Sequence, residues 1–149
     1  MIRTRDSIII DRPAELVFSF LADLNNLPKW QSGVVQSKVI SQGPVGVGTK
    51  FSEDVKMMGR KVTANCEVTA FEPGRKMGFS ADGGGIRYQG AITLAPRDGK
   101  TELTLEGVSH LKGLWRLFQP FIAGEFKKEL KKEMQTIKAA VEGAGAQGR

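Results

Sequence analysis

Three side chains in the middle of this 149-residue chain could move a proton: Glu53, Tyr88 and His110. Glu53 shares the alternating phase of an extended segment with Phe51, Val55 and Met57. If that phase faces inward, a carboxyl group sits among apolar neighbours, where burial raises its pKa or demands a partner. A rim position, or a bulge that turns it outward, is the other reading. Tyr88 could place its hydroxyl on a bound molecule, or simply end a sheet with a polar tip. His110 is the only histidine. It closes the last strand-like segment, where it is either a general base or an ordinary surface residue. Two of these three groups facing one cavity would favour catalysis; dispersed, they would favour carriage.

Other chemistries lack their parts. One cysteine and one histidine cannot complete a zinc site, so no metal and no cofactor are expected. The glycine clusters at Gly43–Gly48 and Gly83–Gly85 lack a phosphate-loop lysine and do not lead from strand to helix. They read as turns. Cys66 falls mid-strand on an apolar phase and reads as inert core.

The elements that must position these groups follow from the pattern. Ile8–Ile10 close a first strand, and Asp11-Arg12-Pro13 leads into a short amphipathic helix with Val17, Phe20 and Leu21 on one side. Leu27-Pro28-Lys29-Trp30 begins a second short turn or helix, with Trp30 as a plug against the sheet. Between residues 33 and 110 the alternation predicts six strands, at 35–40, 49–57, 61–71, 76–81, 86–95 and 101–109. The clearest is 61–71, where Val62, Ala64, Cys66, Val68 and Ala70 alternate with polar residues, as in an antiparallel sheet wet on one face. Met58-Gly59-Arg60 is read as a hairpin turn with positive φ at its glycine. Short turns between all six predict a meander rather than a parallel sheet.

Residues 111–141 end the chain as a long helix. Phe126, Leu130, Met134, Ile137 and Val141 fall within about 80° on a wheel of 100° per residue. Pro120 and Gly124 should kink or restart it and could let it flex as a gate. Residues 143–149 are expected to fray, leaving one α+β domain over 1–142.

Composition is that of a soluble globular protein, 40% hydrophobic and 26% charged. No apolar run nears the roughly 18 residues a membrane span needs, and a cytoplasmic location is expected. The net charge of +6 raises the question of an anionic partner. Lys127, Lys128, Lys131 and Lys132 could touch a membrane surface, although Glu125, Glu129 and Glu133 interleave with them as on any solvated helix face. Nucleic acid is not expected, because no sheet face interleaves aromatics with basic residues.

Four segments in order carry a resemblance: Ile10-x-x-Pro13 into Val17-Phe18, Leu27-Pro28-x-Trp30, Gly46-x-Gly48-Thr49-x-Phe51, and Leu111 to Phe118 followed by Pro120. With strand, two helices, six strands and a long helix, the chain resembles the START-like or Bet v 1-like (helix-grip) superfamily. Within it, the chain is similar to the polyketide cyclase/dehydrase and lipid-transport (SRPBCC) group. The resemblance implies a curved seven-stranded antiparallel sheet around the last helix, with a cavity between them for a hydrophobic small molecule such as a lipid, isoprenoid or polyketide-like compound. Alternation then suggests wall residues: Phe51, Glu53, Val55, Met57, Met77, Phe79, Tyr88, Ile92, Leu103 and Leu105 from strands, and Ile122 and Phe126 from the helix. The same residues could equally fill a core. Access is expected near residues 43–48, near 82–85 and at the start of the last helix. An enzyme of cyclase or dehydratase type and a membrane-apposed interaction module stay open beside the carrier.

Overall fold

The structure is a computed structural model that describes residues 1–57 and 59–147, with backbone alone for 144–147. Strand β1 (Ile2–Ile10) leads through Pro13 into α1 (Ala14–Ala22), a 3₁₀ turn (Leu24–Asn26) and α2 (Leu27–Trp30). Six strands follow: β2 (Val34–Val39), β3 (Lys50–Met57), β4 (Arg60–Glu72), β5 (Lys76–Gly83), β6 (Ile86–Arg97) and β7 (Lys100–Leu111). A second 3₁₀ segment (Gly113–Phe118) precedes α3 (Gln119–Gln147). The expected order is present throughout.

All seven strands pair antiparallel in the order β1-β7-β6-β5-β4-β3-β2, so the meander is closed on one side by the N-terminal strand. Register shifts between Val34 and Gln36 and between Val68 and Ala70 bend the strands, as bulges do. The concave face receives α3. Along β4, Ala64, Cys66 and Val68 are buried while Thr63, Asn65 and Glu67 are exposed, so the alternation does place one apolar face inward.

The apolar stripe of α3 is buried at Leu130, Met134, Ile137 and Val141, against α1, α2 and the sheet. The end of the helix is tied to β1. Lys138 Nζ donates to the Ile9 carbonyl at 2.7 Å, and the Asp11 amide donates to the Glu142 carboxylate at 2.9 Å. This half of the molecule is a filled core.

In the last segment two expectations change and one is resolved. Leu111 ends β7 rather than starting a helix, and Gly113, at φ +58, separates the two. Of the kink or restart expected at Pro120 the structure has the restart: it occupies the first turn of α3, after the 3₁₀ segment, where its missing N–H costs nothing. The helix then runs unbroken through Gly124 and past Gly143 to Gln147. Met58 of the expected hairpin, and Gly148 and Arg149 of the expected tail, lie outside the described residues. Gly59 has the positive φ expected of it, +76°.

Before α3, Trp115 turns inward against Gly85, Ile86, Leu111 and Ile122, while Leu114, Leu117, Phe118 and Phe121 stand exposed. The contrast with the filled core gives a stability test. Met134→Ala should lower unfolding free energy by about 2–5 kcal/mol in denaturant titration, because it leaves a cavity in packed surroundings. Leu117→Ala should change it by no more than about 0.5 kcal/mol.

Candidate functional site

The other half of the grip is hollow. Between β3–β7 and the middle of α3 lies a cavity of about 420 Å³, within the range of small-molecule sites. Its inner wall is mostly apolar, including Val55, Ala64, Phe79, Ala81, Leu105 and Leu130. A narrow void of about 20 Å³ adjoins it, reached past Trp30, Glu53 and Tyr88. The core stripe of α3 and this cavity are continuous. The helix fills the space at Met134 and leaves it open around Phe126 and Glu133.

Glu53 points into this space. It is only 4% exposed, on a strand whose register sets it opposite Ala64. The nearest donor is the Cys66 thiol, which has two acceptors within reach, this carboxylate and the Ala64 carbonyl at 3.8 Å. A thiol has one proton, and a charged carboxylate is the stronger acceptor. Even so, burial dominates and pushes the Glu53 pKa up to about 7. The Cys66 thiol is pushed up too, by burial and by the Glu53 charge.

Tyr88 lies over a depression made by two glycines. Gly90 and Gly107 pair across β6 and β7, and a Cβ on either would collide with the Tyr88 ring and hydroxyl. Only a side-chain-free patch lets the ring lie along the sheet. Phe79 flanks it, ring centroids 5.9 Å apart. Burial raises the Tyr88 pKa, and the Glu133 charge adds to the rise.

Glu133 reaches the same cavity from α3. Its carboxylate accepts the Ser32 amide at 2.8 Å, in the bend after α2. Burial lifts its pKa to about 7, against that hydrogen bond, and the Glu129 and Glu53 charges raise it further. In the adjoining wall two buried polar atoms, Trp30 Nε1 and Gln31 Oε1, have no hydrogen-bond partner among the described residues. The cavity thus combines two carboxyl groups that exchange protons near neutrality, a phenol and an apolar lining.

Of the wall residues suggested by alternation, Glu53, Val55, Met57, Phe79, Tyr88, Leu105 and Phe126 line the cavity. Phe51 and Met77 reach only the narrow void. Ile92, Leu103 and Ile122 lie in filled core, touching neither space, because the sheet is packed at those levels. His110 is exposed, opposite Arg87 on the outer face, and plays no part here. The strand phase that turns Leu105 and Gly107 inward turns His110 out. Residues 43–48 also contribute nothing to the lining, since they precede β3 at the end away from Met57. Of the other expected access region, 82–85, Gly83 does line the cavity, and Gly33, Lys56 and Glu125 are lining residues that are exposed to solvent.

Sequence reasoning does not single out Glu133, although a signal exists. On the helical wheel it falls between Ile122 and Phe126, within about 20° of each. Its place among alternating lysines and glutamates gives it the look of surface.

Among the described residues no cluster of metal-ligating side chains occurs, and no helix is long and apolar enough to cross a membrane. The sequence profile of the polyketide cyclase / dehydrase and lipid transport family matches residues 1–142. No curated protein matches the chain in sequence. Among solved structures, a protein from Thermus thermophilus is similar at 20% identity and TM-score 0.81, over 95% of this chain and 98% of its own. A START superfamily protein from Mycobacterium smegmatis is 15% identical, with TM-score 0.72 over 99% of both chains. The Zhui aromatase/cyclase from Streptomyces sp. R1128 is 13% identical, with TM-score 0.81 over 95% of this chain and 94% of that one. At such identities the likeness is one of fold.

The two raised pKa values fix a pH dependence. A carboxyl whose folded pKa lies above its unfolded value holds more protons folded than unfolded, so stability falls as pH rises between them. Glu53 and Glu133 stabilise least above about pH 7 and cost nothing below about pH 4.5. At about 1.4 kcal/mol per pKa unit, the loss is a few kcal/mol between pH 5 and pH 8. Urea unfolding of the Glu53→Gln, Glu133→Gln double variant should show most of that slope removed. An unchanged slope would place both carboxylates in solvent.

Proposed function

The chain belongs to the polyketide cyclase / dehydrase and lipid transport family, and from that premise we propose that it binds an apolar small molecule in the cavity between the sheet and α3. The observation that carries this reading is the contrast along α3. The same helix is densely packed at Met134, Ile137 and Val141, yet leaves about 420 Å³ open beside Phe126 and Leu130. Interiors are ordinarily filled to crystal density, and an apolar void of this size forfeits packing that a ligand would restore. A ligand burying roughly 200 Å² of apolar surface would gain roughly 5 kcal/mol before the cost of its lost freedom.

A second reading, catalysis on the bound molecule, is favoured by one observation. Glu53, Glu133 and Tyr88 converge on one cavity, and both carboxyl pKa values lie near 7. General acids and bases work best with a pKa near the working pH. One carboxyl could then take a proton from an activated carbon while the other, protonated, donates to a carbonyl oxygen.

Binding is tested with the neutral fluorescent probe N-phenyl-1-naphthylamine. It should enter the cavity with a blue-shifted, enhanced emission. Ala64→Phe, which fills the wall from β4, should weaken uptake at least about tenfold, or about 1.4 kcal/mol. Its unfolding free energy should hold or rise, because the added ring occupies empty space. Uptake that survives Ala64→Phe with stability lowered would move the ligand elsewhere.

A further inference from the structure

The protein carries a net charge of +6, but its cavity does not share that sign. Among the described residues four glutamates line it, Glu53, Glu125, Glu129 and Glu133, against a single cation, Lys56. Glu53 and Glu133 are inside, whereas Lys56 and Glu125 are exposed at the rim. No arginine or histidine among the described residues reaches the wall. An anionic ligand such as a fatty acid would therefore meet two carboxyl groups and no counter-charge where it is deepest. Glu53 in particular has no cation and no backbone amide beside it among the described residues, only the Cys66 thiol, although it is just 4% exposed. A buried carboxyl with no cation beside it keeps its proton, and a cation brought next to it would hold it in the charged form.

Resting on the reading of the cavity as an apolar ligand site, we propose that its ligand is an apolar amine, held as the cation between Glu53 and Glu133. A protonated nitrogen supplies what both carboxylates lack. It relieves the repulsion of the Glu53 charge on Glu133 and replaces lost solvation with charge-assisted hydrogen bonds. Tyr88 adds a hydroxyl that can accept from the same nitrogen, and Phe79 and Tyr88 offer ring faces that attract a cation. The apolar body of the ligand would lie toward Val55, Leu105 and Phe126. Glu125 and Glu129 at the mouth would draw the cation in against the repulsion of the basic exterior.

The test uses three naphthalene probes of one size in isothermal titration at pH 8: 2-(1-naphthyl)ethylamine, 2-(1-naphthyl)ethanol and 1-naphthylacetate. The amine should bind at least about tenfold tighter than the alcohol, and the acid weakest. At pH 7, amine binding should release protons, seen as a binding enthalpy that depends on the buffer. In the Glu53→Gln, Glu133→Gln double variant the amine should fall to the affinity of the alcohol, which should itself change little. If the alcohol binds but the amine binds no better, the assignment of an amine is overturned and the cavity reading stands. If none of the three binds wild type, the cavity reading fails as well.

A different observation carries a second inference. Leu114, Leu117, Phe118 and Phe121 recur at helical spacing and are 56–79% exposed. Scattered exposed apolar residues are ordinary, but four in one stripe are not. Trp115, seated over Gly85 and against the cluster of Ile86, Leu111 and Ile122, anchors this segment on the sheet. On the α3 wheel, Lys128 and Lys132 fall within about 20° of Phe121, so the stripe continues as a row of exposed cations. Apolar tips followed by lysines match an anionic bilayer surface, with rings in the headgroup boundary and cations on phosphate. We infer that this face docks on anionic membranes.

Flotation with vesicles of about 30% phosphatidylserine in phosphatidylcholine, an anionic surface of the kind that attracts basic segments, should carry the protein up, and pure phosphatidylcholine should carry much less. Leu117→Glu with Phe121→Glu should abolish flotation while leaving naphthyl probe binding intact. Sedimentation equilibrium supplies the opposing outcome. A dimer that the same double variant dissociates, with no vesicle binding, would make the stripe an interface between copies and overturn the inference.

Discussion

The constraint on which this molecule turns is a carboxyl group placed where water barely reaches. Glu53 sits on a central stretch of β3, facing inward, with a thiol as its only near donor among the described residues. An isolated charge there is costly enough that the group holds its proton to about pH 7. The surroundings suit a carboxyl that changes state. Cys66, two residues along β4 from Ala64, gives a weak and neutral hydrogen bond rather than a cation that would lock the charge on. Glu133 comes to the same space from α3 and is itself kept from ionising, in part by Glu53. Tyr88 is admitted only because Gly90 and Gly107 leave the sheet bare beneath it.

The fold builds this arrangement by splitting one helix between two tasks. The C-terminal half of α3 is fixed by close packing and by its ties to Ile9 and Asp11, which set its angle to the sheet. With that end fixed and Ile122 packed at the other, the turns from Phe126 to Glu133 stand off from the bent strands and the cavity remains. Packing at both ends of α3, around Ile122 and from Met134 to Val141, thus leaves the binding site between them. The acidic interior within a basic exterior follows from the same split, since the lysines of α3 lie on its outer face and Glu133 on its inner edge.

Much of this is legible in the residues. The period-two pattern of Val62 to Ala70 and the turn residues between strands dictate the meander, and the stripe from Phe126 to Val141 dictates the gripping helix. The site is legible only in part. Alternation says which face a side chain takes, which places Glu53 and Tyr88 correctly, but not how deep the partner helix sits at each level. Ile92 and Leu103 therefore share a phase with cavity residues and yet lie in filled core. His110 draws notice as the only histidine, while its strand phase turns it away. Glu133 is hidden by a surface-like run of lysines and glutamates, although its heptad spacing from Phe126 puts it on the buried edge. Pro120 has the look of a break because its place relative to the helix start depends on where β7 ends, and Leu111 extends that strand.

The cavity carries the proposed function, and the two glutamates facing it, held far from their ordinary range, give that cavity its chemistry. Carbon-13 NMR of the glutamate side-chain carboxyls across the acid-to-alkaline range, with Glu53→Gln and Glu133→Gln as assignments, measures this directly. Both resonances should titrate near pH 7, and removing Glu53 should shift the Glu133 midpoint downward. Midpoints near the ordinary 4.5 for both, indifferent to each other's removal, would show two solvated carboxylates and contradict a cavity closed to water around them.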